Sequence, residues 1–450
     1  MDPAAAVQWI ARLDRMGMKF GLERMNALMS ALGHPCHGLP CIHVVGTNGK
    51  TSVTRMAASF LTASGYRTGA YVSPHVVDWA ERITLDGVDI PPEAFAAAAT
   101  RVYDAAPEVP GGAITQFEAL TALALDAFAR AGARAVVVEA GLGGRLDATN
   151  VIHAPVVALS SVDLDHTELL GDTVHAIAGE KLGVASAGFA GLVVGDQSPA
   201  SLPHVRAAVA ERGMSGWWVG QEITWEDGNG HPMTIRTPNG ALRIDADMPA
   251  RWQRANLALA VGAAERILGH GLGEDAVEEG LARVSNPGRL QVIPGAPIVV
   301  LDGAHNPAGA RALAEALPRV LGDVRPVAVI GMMADKDAEG IVDALAPVIR
   351  CAHVTRASSG RAIRPEPIAQ MFARRGVDAD VVAGPARALE RARADAGPSG
   401  AVLVAGSLHL LSDLAPIVTG DSPSGGGTLA AAPAPGNVPA TVWRLDDFRK

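Results

Sequence analysis

The stretch Cys41-Ile42-His43-Val44-Val45-Gly46-Thr47-Asn48-Gly49-Lys50-Thr51-Ser52 runs from apolar residues through two glycines into a lysine and two hydroxyl residues. The apolar run predicts a buried strand over Cys41–Val45, and the residues beyond the glycines predict a helix over about 51–64. Glycines let backbone N–H groups approach a phosphate, a helix N-terminus favours negative charge, and a lysine in the place of Lys50 can reach the terminal phosphoryl oxygens. A strict phosphate loop has glycine five residues before Gly49, where this chain has Val44. The general pattern therefore fails, while the strand–loop–helix context holds. The segment reads as a phosphate site, with an ordinary strand-to-helix turn as the alternative.

Outward from this segment, short apolar runs recur at 67–71, Ala135–Glu139, 155–160 and Gly191–Val194. Helical patterns lie between them, at Pro92–Ala105 and 115–131. Strands alternating with helices predict a mainly parallel sheet covered on both faces. Residues 4–32 carry helical periodicity with a break at 17–21. Residues 217–247 alternate and contain Gly-Asn and Asn-Gly turns, which predicts a β-hairpin insertion; a helix is expected over about 254–268. A second α/β unit is expected from near Pro297, with strands at Ile298–Leu301, Val327–Ile330, 352–355, 381–382 and 402–405. The stretch 284–297, with Pro287, Gly288, Pro294 and Gly295, reads as the joint. The expected organisation is a first domain over 1–295, a second over 296–418, and a low-complexity, disordered tail over 419–450.

A chain of 450 residues is too long for one typical core, which agrees with two domains. Hydrophobic residues make up 48% and charged residues 19%, a globular balance. Aromatics are only 4%, so the core falls to Val, Leu, Ile and Ala. The net charge is -9 and no long basic run occurs; a nucleic-acid partner, which needs clustered Lys and Arg, is not expected. Cys36, Cys41 and Cys351 form neither a CxxC pair nor a disulfide framework, which fits a reducing compartment. The N-terminus has an early acid and amphipathic spacing in place of a signal peptide, and no apolar run reaches about 18 residues. A cytoplasmic protein with no membrane partner, acting as a monomer, is expected.

The second chemical cluster is Val136-Val137-Val138-Glu139-Ala140-Gly141-Leu142-Gly143-Gly144-Arg145-Leu146-Asp147. A buried strand ends there in a carboxylate and a glycine-rich loop begins. Leu146 stands where a dinucleotide fingerprint needs glycine, which argues against that reading. Glu139 is a candidate ligand for Mg2+, a hard cation that favours oxygen; the alternative is a carboxylate capping the following loop. Leu159-Ser160-Ser161-Val162-Asp163-Leu164-Asp165-His166-Thr167 follows another apolar run, at the sheet edge where ligands collect. His166 is there either a metal ligand or a hydrogen-bonded structural histidine. On composition alone Lys181 reads as a surface lysine and Ser73-Pro74-His75 as a turn. Asp302 and His305, in Leu301-Asp302-Gly303-Ala304-His305-Asn306-Pro307, read as turn-formers. No Ser–His–Asp or Cys–His arrangement asks for a covalent nucleophile.

Taken in order, these clusters resemble the folylpolyglutamate synthase/dihydrofolate synthase branch of the Mur ligase superfamily, over about residues 5–415. GTNGKTS at 46–52 marks the superfamily. VVEAGLGGRLDATNVI at 137–152, SSVDLDHTELLGDT at 160–173 with EKLG at 180–183, LDGAHNP at 301–307, GMMADKD at 331–337 and VLVAGSLHLL at 402–411 together look like the branch. The resemblance implies a phosphate-loop-type, mainly parallel α/β sheet domain with helices on both faces and a small β insertion, then a smaller Rossmann-like α/β domain. It implies ATP binding by Thr47, Asn48, Gly49, Lys50, Thr51 and Ser52, with Asn256, Arg289 and Asp302 as further nucleotide contacts. Ser73, Glu139 and His166 are similar to Mg2+ ligands of the family. Lys181 is similar to a lysine that CO2 carbamylates and that supports a second ion. A carbamate turns a cation into an anionic oxygen ligand and requires a neutral amine first, which a desolvated lysine supplies. Lys50, Lys181, His166 and His305 are the catalytic residues so implied. Gly21, Leu22, Glu23 and Arg24, with Thr115, Gln116, Phe117 and Glu118 and with Leu146 and Asp147, match segments that bind the pterin portion.

The activity implied is ATP-dependent joining of L-glutamate to dihydropteroate or a reduced folate through an acyl phosphate. Cell-wall Mur ligases run the same chemistry on a nucleotide-linked acid. They usually carry an extra N-terminal domain, for which a loop starting at Gly46 leaves little room. A non-catalytic nucleotide-binding switch is the alternative of a different class. Two positions depart from the branch: many members have glycine where this chain has Thr51, and His409 replaces an aromatic common in the last strand motif.

Overall fold

The strand Cys41–Val45 is buried along its whole length. It pairs in parallel with Ala135–Glu139 on one side and Val156–Leu159 on the other. A strand with neighbours on both edges and helices on both faces has no solvent side, which is why these runs are apolar without alternation. The computed structural model describes residues 1–13, 21–110, 112–185, 189–226, 232–246 and 248–420. The central sheet has eight strands in the order Val88–Asp89, Ile83–Leu85, Thr68–Tyr71, Ala135–Glu139, Cys41–Val45, Val156–Leu159, Gly191–Val194, Gly216–Trp218. The six from Thr68–Tyr71 onward pair in parallel; the two at the other edge are antiparallel. After Cys41–Val45 the chain builds to one side, then returns to build the other, starting with Val156–Leu159 beside it.

 The carboxyl ends of neighbouring strands diverge where the direction of building reverses, and a crevice for ligands opens there.

Both faces of this sheet are covered. Helices Lys50–Ala63, Arg251–Leu268 and Glu274–Arg283 pack a core of Val53, Phe60, Leu257, Val261 and Val277 against one face. Helices Pro3–Arg12, Pro92–Ala105 and Gln116–Arg130 pack Ile10, Phe95, Leu120 and Phe128 against the other. Buried alanines such as Ala98, Ala99, Ala122 and Ala124 fill much of that layer, as a chain poor in aromatics requires. Val174–Leu182 and Leu202–Glu211 close the far end of the sheet around Val157, Leu159 and Leu192. Among the described residues no helix is long and apolar enough to cross a membrane.

The insertion differs from the hairpin expected over 217–247. Gly216–Trp218 extends the central sheet in parallel beside Gly191–Val194. The insertion proper is a three-stranded antiparallel sheet of Thr224–Glu226, Met233–Thr237 and Gly240–Ile244. Alternation reports which side chains face inward; it does not say which sheet an edge strand joins. The Gly-Asn turn of that stretch, within 227–231, lies outside the described residues, as do residues 14–20, which include 17–20 of the expected break at 17–21.

Two compact units divide the chain: Met1–Met248 with Trp252–Ser285, and Pro249–Arg251 with the segment from Asn286. The second contains a six-stranded sheet in the order Gln291–Ile293, Ile298–Leu301, Ala401–Ala405, Val327–Ile330, Cys351–Val354, Asp378–Val381. All its pairs are parallel except the first. That first strand falls inside the stretch read as a joint, and the unit begins ahead of the expected boundary at 296. Three residues between Gly288 and Pro294 are too short an apolar run to announce a strand. His409 lies in the helix Leu408–Thr419, beyond the last strand, and not in the strand motif itself. From 421 on, the expected tail lies outside the described residues.

Candidate active site

The loop after Cys41–Val45 turns into the helix Lys50–Ala63 at Gly49, whose φ of 90° is left-handed. Glycine takes that conformation without the clash a Cβ brings. A Cβ there would also lie 2.7 Å from Asn256 Oδ1, so the Asn256 side chain rests against this turn. The loop is fastened to the next strand tip. Thr47 N–H donates to the Ser161 carbonyl at 2.7 Å, Thr47 Oγ1 donates to the Asp163 carbonyl at 3.1 Å, and Ser161 Oγ donates to the Asn48 carbonyl at 3.2 Å. Ser161 and Asp163 hold the loop shape through local bonds that sequence spacing alone does not reveal. Gln197 braces the same tip: its amide donates to the Ser160 and Gly195 carbonyls and accepts from Val162 N–H.

Lys50 opens the helix and donates to the Thr47 carbonyl at 3.1 Å. Thr51 Oγ1 reaches the Glu139 carboxylate, 3.0 Å from Oε2 and 3.2 Å from Oε1. Ser52 points into the core, 5% exposed. Thr51, and not Ser52, is therefore the hydroxyl that faces Glu139. The same carboxylate accepts from Ser73 N–H at 3.2 Å, beside the cis bond Ser73–Pro74. Three sequence clusters thus meet at adjoining strand tips: the loop, the end of Ala135–Glu139 and the turn after Thr68–Tyr71.

Lys181 is not a surface lysine. It is 4% exposed and donates to the Gly46 carbonyl at 2.8 Å. Burial, with the Lys50 ammonium adding to it, pulls Lys181 down from the usual lysine range to about 7, while Asp165 and Asp147 act against the shift. Gly144 explains how the helix Val174–Leu182 comes so close to the glycine-rich loop: a Cβ at 144 would sit 2.5 Å from the Lys181 carbonyl. Arg145 N–H donates to the Glu180 carbonyl at 2.9 Å, and its guanidinium pairs with the Glu180 carboxylate. His166 follows the next strand tip, with a left-handed φ of 51° and Nε2 3.8 Å from Asp165 Oδ1. Among the described residues no three His, Cys, Asp or Glu side chains form a ready metal cage; the set here includes a serine and a lysine.

The segments matched to pterin binding also come together. Arg24 and Glu118 form a buried ion pair at 2.8 Å. Glu118 and Thr115 form the capping box of Gln116–Arg130, and Gln116 donates to the Ile10 carbonyl at 2.8 Å. The Phe117 ring lies against Gly141, and the Glu23 carboxylate folds back over Gly21. Leu22 caps the helix Glu23–Ala31 without a side-chain bond. Leu146 is half-buried beside Asp147. Asp147 is buried, and its carboxylate accepts from Leu142 N–H, Thr149 N–H and Thr149 Oγ1; burial pushes its carboxyl upward. His43 Nε2 meets Thr149 Oγ1 at 2.8 Å. Arg24, Gln116, Glu118 and Asp147 therefore have internal partners and form a framework as well as a surface.

In the second unit, Asp302 accepts from Leu290 N–H at 2.6 Å and Ala304 N–H at 2.8 Å. Burial pushes its carboxyl upward, and the Arg289 guanidinium opposes this. His305 Nδ1 bonds the Gly303 carbonyl at 2.7 Å, which makes Nδ1 the protonated nitrogen. Asn306 caps the helix Pro307–Leu321. The turn-forming reading of Asp302 thus holds locally.

Residues 288–408 match the Mur ligase, glutamate ligase domain. The chain is 37% identical over 375 residues to the dihydrofolate synthase/folylpolyglutamate synthase of Mycobacterium tuberculosis, spanning 77% of this chain and 76% of that one. Its fold matches Escherichia coli FolC in complex with DHPP and ADP with a TM-score of 0.84 at 29% identity, over 93% of this chain and 98% of that chain. A bifunctional folylpolyglutamate synthase/dihydrofolate synthase with Mn, AMPPNP and L-glutamate bound gives a TM-score of 0.81 at 28% identity, over 93% and 99% of the two chains. A likeness of this extent, joined to the site geometry, shows that the chain belongs to the dihydrofolate synthase/folylpolyglutamate synthase family of Mur-type ligases.

Proposed function

We propose that this chain joins L-glutamate to the carboxylate of dihydropteroate or a reduced folate while ATP is cleaved to ADP and phosphate. The observation that carries the reading is the meeting of Lys50, Thr51, Glu139 and Ser73 at adjoining strand tips, with buried Lys181 bonded to the same loop. A free carboxylate is a poor electrophile. Transfer of the terminal phosphoryl group of ATP to it gives an acyl phosphate. The amine of glutamate then attacks the acyl carbon, and phosphate leaves with the carboxylate oxygen. Catalysis of this kind is mostly positioning and charge neutralisation. Thr47 to Ser52 wrap the phosphates with backbone N–H groups at a helix N-terminus, and Lys50 offsets charge on the transferred group. Asn256, seated on Gly49, and Arg289 and Asp302 add nucleotide contacts.

The donors suit Mg2+: the Glu139 carboxylate, the Ser73 hydroxyl and the His166 imidazole are proposed to hold one ion. Lys181 is proposed to support the second as a carbamate. Its amine is drawn to about 7 by burial, so a neutral amine able to take up CO2 is present at neutral pH. Bound ions would neutralise phosphoryl charge. The framework of Gly21–Arg24, 115–118, Leu146 and Asp147 is proposed to receive the pterin portion, and His305 to act with the glutamate-side unit. The enzyme is proposed to work as a cytoplasmic monomer. The test is ADP release by the purified protein with ATP and Mg2+. Release is expected only when glutamate and a pteroate or folate are both present; ADP release indifferent to both acids would refute the reading.

A further inference from the structure

The turn that presents Ser73 is held by a charged residue outside the motif. Arg82 is 9% exposed. Its Nε donates to His75 Nδ1 at 2.8 Å, which fixes the His75 proton on Nε2. Its guanidinium lies 5.2 Å from the centre of the Trp79 ring. His75 in turn meets Trp79 edge-on at 4.5 Å. The Arg82 carbonyl accepts from Val72 N–H at 2.9 Å. One residue therefore grips positions 72 and 75, on both sides of Ser73. Glu81 completes the frame by accepting from the N–H groups of Val76, Val77 and Asp78. Burying a guanidinium demands compensation, and the Glu139 carboxylate is among the charges that favour it.

We infer that Arg82 is a positioning residue: its buried guanidinium locks the 73–78 turn so that Ser73 and Glu139 stay aimed at one divalent cation. The inference rests on the reading of Ser73 and Glu139 as cation ligands. A partner that orients a ligand is typically worth about 10–100-fold in metal affinity.

The test is an electron paramagnetic resonance titration of Mn2+ into the full-length protein with a non-hydrolysable ATP analogue. The proteins are wild type, Arg82→Ala, Arg82→Lys and His75→Phe. Wild type is expected to bind. Arg82→Ala is expected to bind Mn2+ about tenfold or more weakly. His75→Phe, which keeps a ring beside Trp79 and removes the Nδ1 acceptor, is expected to show a smaller loss. Arg82→Lys is expected to recover part of the affinity, because it keeps charge without the planar fork. If Arg82→Ala fails to fold, Arg82→Lys and His75→Phe carry the comparison. Folded variants with wild-type Mn2+ affinity and only a lowered Tm would overturn the positioning role. A wild-type protein that takes up no Mn2+ would instead overturn the reading of the site.

Discussion

At the scale of single residues, Lys50 and Lys181 make opposite demands on the same loop. Lys50 must remain a cation to offset phosphate, so Lys50→Ala is expected to reduce turnover by at least about 10²–10³. Its melting temperature should stay near that of wild type, which scanning calorimetry can check. Lys181 must lose its proton if it is to form the proposed carbamate. Replacing it with alanine should remove most activity, and added short carboxylates should restore part of it. The pH dependence has a defined sign. Unfolded lysine keeps its proton to about 10.4, whereas folded Lys181 releases it near 7. Between those values the unfolded chain binds more protons, so this residue makes stability rise with pH. Below about 7 both states are protonated, and the penalty for burying the ammonium is fully present. Denaturation of wild type and Lys181→Met between pH 7 and 9 should show the slope only in wild type. At fixed CO2 pressure, the 13C carbamate signal should grow as pH rises through 7; a flat signal would leave the amine without its proposed role.

At the scale of elements, much of the first unit was legible because its strands are buried on both faces. Cys41–Val45, Ala135–Glu139 and Gly191–Val194 stand where their apolar runs predict. Gly216–Trp218 and Gln291–Ile293 did not declare themselves, being three-residue edge strands; the first pairs with Gly191–Val194 beyond an intervening helix, and the second pairs with nearby Ile298–Leu301 inside a stretch whose prolines and glycines read as a joint. The site followed the same division. Motif glycines and Lys50 were visible, but the burial of Lys181 and the grip of Arg82 depend on contacts that no local spacing encodes. Gly144 shows what such a contact demands. Gly144→Ala would place a methyl 2.5 Å from a main-chain oxygen of Lys181, and a backbone cannot swing aside as a side chain can. The helix Val174–Leu182 must move, and small misplacements near the chemistry cost up to about 10²-fold. The variant should keep its circular dichroism and lose turnover. At the Arg24–Glu118 pair the expected damage is to stability: Glu118→Ala takes the carboxylate from a buried guanidinium and opens a capping box. A loss of about 3–5 kcal/mol in urea unfolding is expected; a loss under about 1 kcal/mol would show that Arg24 finds another partner.

At the scale of the whole molecule, the chain is built as two units, each with its own mainly parallel sheet, and the proposed reaction needs an intermediate that water would destroy. An acyl phosphate free in solution would hydrolyse and waste ATP, so the site must withhold water until the amine arrives. The intermediate also leaves an isotopic record. If the substrate carboxylate is labelled with 18O, phosphoryl transfer binds a labelled oxygen to phosphorus. Attack by glutamate nitrogen then breaks the carbon–oxygen bond, and that oxygen departs with the phosphate. Mass spectrometry of the inorganic phosphate should find one 18O atom for each amide formed. Unlabelled phosphate would mean that water cleaved ATP directly, and the acid would have been activated by some other route. Omitting glutamate separates the two halves further. Phosphate release should then fall far below the complete reaction, because no amine is present to take the acyl group and free the phosphate. Release that continues at the full rate without glutamate would show that the two steps are uncoupled and that ATP cleavage does not depend on making the amide.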